Sequence, residues 1–169
     1  MNIKEEGKKI WQIRKKINRK HIIILSFFMP LIVMIGCCIA FGVQPFGENS
    51  LLIIDGLHQY MPFYSILYDK LKSGGSLFYS FRAGLGINFL SLYAYYLSSP
   101  LNLLILFFKK SQLNMAVSLI IVLKVAISGL TAGFYFSSKS KKPGLPVLMI
   151  SMAYALSSYM VGYCWNVMW

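Results

Sequence analysis

Acidic residues are scarce in this chain. Five Asp and Glu stand against seventeen Lys and Arg in 169 residues, a formal net charge of +12. Cysteine is scarce as well, and Cys37, Cys38 and Cys164 all lie in apolar runs. Three thiols without paired spacing make neither a disulfide framework nor a zinc site. There is no Walker loop, no HExxH and no CxxC pair, so the familiar nucleotide and metal templates fail. Internal repeats, low-complexity linkers and a separate soluble domain are also missing. A basic chain raises nucleic acid as a partner, but the charge distribution argues against it. Eight of the basic residues fall between Lys4 and Lys20, just before an apolar run. That is the positive-inside pattern of a cytoplasmic N-terminus, able also to touch anionic lipid headgroups.

What is abundant is apolar surface. Hydrophobic residues make up 57% and aromatics 15% of the chain, with mean hydropathy +0.60. Those values point to an all-α membrane protein. Residues 21–43 are long enough to cross a hydrocarbon core of about 30 Å, and Pro30 is tolerated in such a helix. "MIGC" (Met34 to Cys37) resembles a lipoprotein cleavage box, but the apolar run continues through Val43, so an uncleaved anchor is expected. Residues 113–136 and 145–169 are further spans. Residues 137–144, with "SSKSKK", form a cytoplasmic loop, and 44–110 forms an extracytoplasmic loop. The 88–108 segment is apolar enough to span, yet "YAYYLSSPLN" has an interfacial character. Keeping it on the outer face places one more basic residue inside. The expectation is therefore three crossings, with a fourth as the alternative.

Within the loop, Leu57, Tyr60, Tyr64, Leu67 and Leu71 share one helical face, and His58, Ser65, Asp69 and Lys72 another. This predicts an amphipathic interfacial helix with its tyrosines at headgroup depth. Pro62 suits a first turn, so the helix should start near Met61, with Asp55 to Tyr60 as its feeding loop. "KSGGS" and "AGLGIN" are Gly-rich turns.

Four ionisable residues are candidates for chemistry. Asp55 reads either as a helix cap or as a general base partly shielded by apolar neighbours. His58 reads as a phosphate donor or as an interfacial side chain. Arg82, among Phe78, Tyr79 and Phe81, offers a guanidinium suited to phosphate or to headgroup anchoring. Lys124 lies mid-span, where a charge costs at least a few kcal/mol and implies a function or a partner. "GLTAG" (Gly129 to Gly133) is a close-packing GxxxG pattern.

The stretch "DGLHQYMPFYSILYDKLKSGGSLFYSFRAGLGINFLSLYAYYLSSPLNLLILFF" resembles the opening of the YfhO family of bacterial polytopic membrane proteins. "LKVAISGL" around Lys124 and "YALSSYMVGYCWNVMW" continue the likeness, over roughly residues 45–169. The family is similar to C-type glycosyltransferases, which use polyprenyl-phosphate sugars. Members are linked to glycosylation of lipoteichoic acid and related envelope polymers. The resemblance implies a catalytic acid at Asp55, just after the first span, and inversion at the sugar. It implies donor-phosphate contacts from His58, Arg82 or Lys124. Such chemistry admits a divalent cation, although two carboxylates at metal-ligand spacing are not visible. The expected setting is the bacterial cytoplasmic membrane, with membrane lipids, a lipid-linked sugar and an envelope polymer as partners and no nucleic acid. Members run to several hundred residues, so the chain is expected to be an N-terminal piece, inactive alone. A non-catalytic assembly or lipid-binding module is the alternative; a transporter piece would use Lys124 but not the outer loop.

Overall fold

The computed structural model describes residues 18–166; the Lys4–Lys16 basic cluster lies outside them. The described residues are mostly helical and form two compact units. One holds residues 18–34 and 124–161, the other 35–123 and 162–166.

Three helices supply most of the first unit. α1 is Arg19–Ala40. The helix continuing from Leu113 to Lys139 (labelled α4, in chain order) supplies its second half. Leu145–Ala155 (α5) supplies the third. The "GLTAG" glycines set the spacing between them. A β-carbon at Gly133 would meet the Ser26 Cβ at 2.5 Å, and one at Gly129 would meet the Pro30 Cγ at 2.9 Å. Arg19 also donates to the Ser140 carbonyl at 3.4 Å. Residues 19, 26 and 30 thus meet 140, 133 and 129 in descending order, so α1 and α4 are antiparallel. On the same small-residue face, Gly133 faces Ser151 and Gly129 faces Ala155 of α5. Small residues allow this close approach, which in lipid is the main source of helix association.

The second unit is built on the segment between α1 and α4. α1 ends in a tight loop in which Asn49 donates through its backbone to Gly42 and through its side chain to Phe41. A π-helical turn, Gly56–Tyr60, then runs straight into α2, Met61–Ser73. The expected feeding loop at 55–60 is therefore helical already. Pro62 explains the wide turn: proline cannot donate to the carbonyl four residues back, and its ring crowds that carbonyl. A π bond from the Met61 N–H to the Gly56 carbonyl re-registers the chain just before it. Gly74, left-handed at φ 67°, stops α2.

Next comes a two-residue hairpin, β1 (Tyr79–Ser80) against β2 (Ile87–Asn88). It leads into α3, Phe89–Leu92, capped by the Asn88 side chain. A second π turn, Tyr93–Leu97, and a 3-10 helix, Pro100–Phe107, follow. The arms on either side of "SSP" diverge by 101°, a broken span or a re-entrant loop, not one straight helix. Asn102 holds the break: its amide donates to the Leu97 carbonyl (3.0 Å), and its carbonyl accepts from the Tyr64 hydroxyl (2.8 Å). Tyr64 and Asn102 are both buried. Tyr64 is thus a core residue and not a headgroup anchor, and burial pushes its phenol pKa upward. Around it pack Leu67, Phe89, Leu97, Ile105 and the N-terminal half of α4. A last short helix, α6, is Ser158–Tyr163.

Among the described residues, three helical stretches are long and apolar enough to cross a membrane: Arg19–Ala40, Lys110–Lys139 and Leu145–Tyr163. The bent pair would make a fourth if counted as one span.

Candidate functional site

Asp55 opens the first π turn. The residue before it, Ile54, has φ 46°, a left-handed conformation that a β-branched side chain adopts only at a cost of roughly 1–3 kcal/mol. The strained bond turns the chain so that the Ile54 carbonyl accepts from the backbone N–H groups of Leu57 and His58. Gly56 packs closely here: a β-carbon on it would crowd the Leu52 side chain at 3.0 Å. The Asp55 carboxylate makes no capping bond to the helix it precedes. It is exposed, as is His58 one turn on. Ile53, Ile54 and Leu57 are also exposed, so the two polar groups sit within an apolar collar.

The second π turn buttresses the first. Gln59 donates to the Tyr96 hydroxyl at 3.2 Å. The Tyr96 ring stands 5.7 Å from Tyr60, 5.2 Å from Phe63 and 4.7 Å from Tyr95. Tyr60, buried, donates to the Asn166 side chain at 2.7 Å. Burial first, then Tyr96 and the Asp55 charge, raise the Tyr60 phenol pKa. It therefore remains a donor at neutral pH, and the carboxylate lies near enough to be felt.

The other sequence candidates lie elsewhere. Arg82 pairs with Asp69, and Lys110 binds the same carboxylate oxygen at 2.6 Å. These two cations, the Lys110 hydrogen bond foremost, lower the Asp69 pKa. Asp69 is fourteen residues beyond Asp55, about 20 Å along a helix, so Arg82 is not part of the Asp55 turn. Lys124 is half-buried in the first unit, on α4. Asp55 and His58 thus share one turn, Arg82 pairs with Asp69 further along the same unit, and Lys124 belongs to the first unit. Gln59, Tyr96 and Asn166 were not singled out in the sequence, and Tyr60 only as part of a helical face. A polar Gln between His58 and Tyr60 in an otherwise apolar run was the one available signal. Among the described residues, no group of three His, Cys, Asp or Glu gathers that could hold a metal ion.

A family model described as bacterial membrane protein YfhO matches residues 26–169. The chain belongs to the YfhO family. With three helices long and apolar enough to cross, this YfhO protein is a multi-pass bacterial membrane protein. Comparison with curated proteins and with solved structures found no match. The YfhO match takes in both π turns and the whole second unit.

Proposed function

We propose that this YfhO protein contributes the catalytic turn of a membrane glycosyltransferase. The donor is a polyprenyl-phosphate sugar, and the acceptor is a hydroxyl of an envelope polymer such as lipoteichoic acid. One observation carries the reading: an exposed carboxylate, Asp55, held behind a strained Ile54 and relieved of capping duty. A cap would use that carboxylate; a base needs it free and aimed outward. Strain of this kind clusters at functional turns, and π turns do so as well.

The antiparallel packing of α1 and α4 supports an extracytoplasmic 44–110 segment. If the basic N-terminus is cytoplasmic, α1 exits and α4 returns, so residues 41–112 begin and end on the outer side. The bent pair is then re-entrant, and residues 137–143 are cytoplasmic. Lipid-linked sugars would reach Asp55 from the bilayer, with the collar of Ile53, Ile54 and Leu57 excluding water from the prenyl side.

In the reaction, the acceptor hydroxyl gives its proton to Asp55 as its oxygen attacks the anomeric carbon. The carbon–oxygen bond to the lipid phosphate breaks, and the phosphate leaves with the electron pair. His58, on the same turn, donates to that departing phosphate. Direct displacement inverts the anomeric centre. Arg82, tied to Asp69, takes no step in this scheme.

Asp55→Asn tests it, with the protein expressed from its own gene in its own membrane at matched abundance. Loss of general-base catalysis lowers sugar transfer by roughly 10²–10⁴-fold, while Asn preserves shape and caps equally well. Near-normal transfer would return Asp55 to a structural role and favour a non-catalytic assembly module.

A further inference from the structure

The hairpin beyond α2 is rigid at its base and bare at its tip. At the base, Lys70 donates to the carbonyls of Ser76 and Tyr79, the latter at 2.7 Å, and stands 5.1 Å over the Phe89 ring. The Phe89 N–H donates to the Phe78 carbonyl at 2.9 Å. Gly86, at φ 116°, holds a conformation that strains any side-chain-bearing residue, and it packs against the Tyr79 hydroxyl. A hairpin pinned at this many points presents its tip in one orientation. Yet Phe81 is 80% and Leu85 fully exposed, beside Phe78 at 72%. Several large apolar side chains exposed together on one short hairpin mark an interaction surface.

The depth of this tip is fixed by its neighbours. Arg82, next to Phe81, binds Asp69, and Asp69 binds Lys110. Lys110 is the first residue of the membrane span Lys110–Lys139. With that helix crossing the membrane, the Arg82–Asp69–Lys110 cluster stands at its end, at headgroup level. Two cations against one carboxylate leave it net positive, and Lys109 adds another exposed cation. Phe107, near the end of the bent pair and two residues before Lys109, is 85% exposed.

We propose that the 79–88 hairpin is a second membrane anchor, specific for anionic lipid. Phe81 and Leu85 enter the upper acyl layer, while Arg82 and Lys110 hold the phosphate of an anionic glycerophospholipid. Cations at headgroup level with apolar side chains just below form the standard interfacial pattern. The Arg82 fork donates to a phosphate oxygen through the N–H groups that Asp69 does not use. The anchor stands apart from the Asp55 reading and does not depend on sugar transfer.

The test uses the intact protein with Cys37, Cys38 and Cys164 replaced, and a Leu85→Cys variant carrying an environment-sensitive fluorophore. It is reconstituted in bilayers mixing phosphatidylcholine and phosphatidylglycerol, with Phe81→Cys as a second labelled site. Quenching by acyl-brominated lipid and protection from aqueous iodide are expected at both sites. Brominated phosphatidylglycerol should quench more than brominated phosphatidylcholine at equal fraction, reflecting a local enrichment of roughly fivefold. The pair Arg82→Gln and Lys110→Gln should abolish that preference, and Arg82→Lys should keep it. Free access of iodide, or shielding from both quenchers by a protein partner, would overturn insertion. Equal quenching by the two lipids would overturn the anionic site.

Discussion

Gln59 and Tyr96, thirty-seven residues apart, are joined by a hydrogen bond of 3.2 Å that ties one π turn to the other. Tyr96 also carries the ring contacts to Tyr60 and Phe63, so the Asp55 turn rests on a side chain from the bent pair. Tyr96→Phe keeps the rings and removes only the hydroxyl. It should lower stability by about 0.5–1.5 kcal/mol, read as a thermal-unfolding midpoint in mild detergent. A double-mutant cycle with Gln59→Ala should show coupling between the two. Independent, additive losses would deny the bond any structural weight.

The GxxxG glycines yield a paired prediction. Gly133→Ala drives a methyl into Ser26, and neither helix can move without losing its other contacts. Overpacking of this kind costs about 1–3 kcal/mol. Gly36, on α1, has nothing within 4 Å of where a β-carbon would stand. Gly36→Ala should therefore be neutral or stabilising, since alanine favours helix by up to about 1 kcal/mol. Unfolding midpoints of the two variants should move in opposite directions, or only the first should move at all.

Much of this architecture was legible in the sequence. Apolar length and the basic N-terminal flank mark the spans, and "GLTAG" marks a helix contact that the structure places against Ser26 and Pro30. The amphipathic helix was found as well, with Tyr60, Tyr64 and Leu67 buried as their spacing suggests. Leu57 fails the pattern and is exposed. A π turn inserts one residue, shifting the register by about 100° relative to a regular helix, so a residue before the turn leaves the face shared by those after it. Periodicity assumes constant pitch and cannot detect this. Nor could it show that Tyr64 bonds Asn102 inside the core, because a tyrosine fits a headgroup layer or a buried polar pair equally well. Asp55 was visible only as a choice between cap and base; the absence of a capping bond needed coordinates. The Arg82–Asp69 pair spans thirteen residues and a hairpin turn, a separation that local pattern does not reach.

The Asp69 cluster has a pH signature. Its carboxyl pKa is held below the ordinary 3.8 by hydrogen bonds from Lys110 and Arg82. A depressed folded-state pKa contributes stability that is fully present above the unfolded value and lost as pH falls through the folded one. Wild type should therefore exceed Asp69→Asn by a constant margin from pH 7 to about 5, and the margin should vanish in acid below the ordinary carboxylate range. The margin is small because the cluster is solvent-exposed and screened. Unfolding midpoints across that range, at low and high salt, give the measurement. A margin that grows toward acid would contradict the assigned pairing.

Ile54 offers the sharpest separation of stability from function. Its left-handed φ of 46° is a strain that nothing in its own side chain repays, since the residue is 66% exposed. Asn tolerates this conformation far better than a β-branched residue, and it lacks the unfolded-state entropy penalty of Gly. Ile54→Asn should thus raise stability by up to about 1 kcal/mol, part of the roughly 1–3 kcal/mol that such a conformation costs. If the strained bond exists to hold Asp55 outward, relaxing it lets the carboxylate swing toward the helix N-terminus and cap it. Sugar transfer should then fall while the unfolding midpoint rises. The opposite pairing, lower stability with unchanged transfer, would mean that Ile54 serves packing and that the strain has no part in placing Asp55. Measuring both quantities on one purified variant distinguishes the two, because a merely damaged protein would lose stability and activity together.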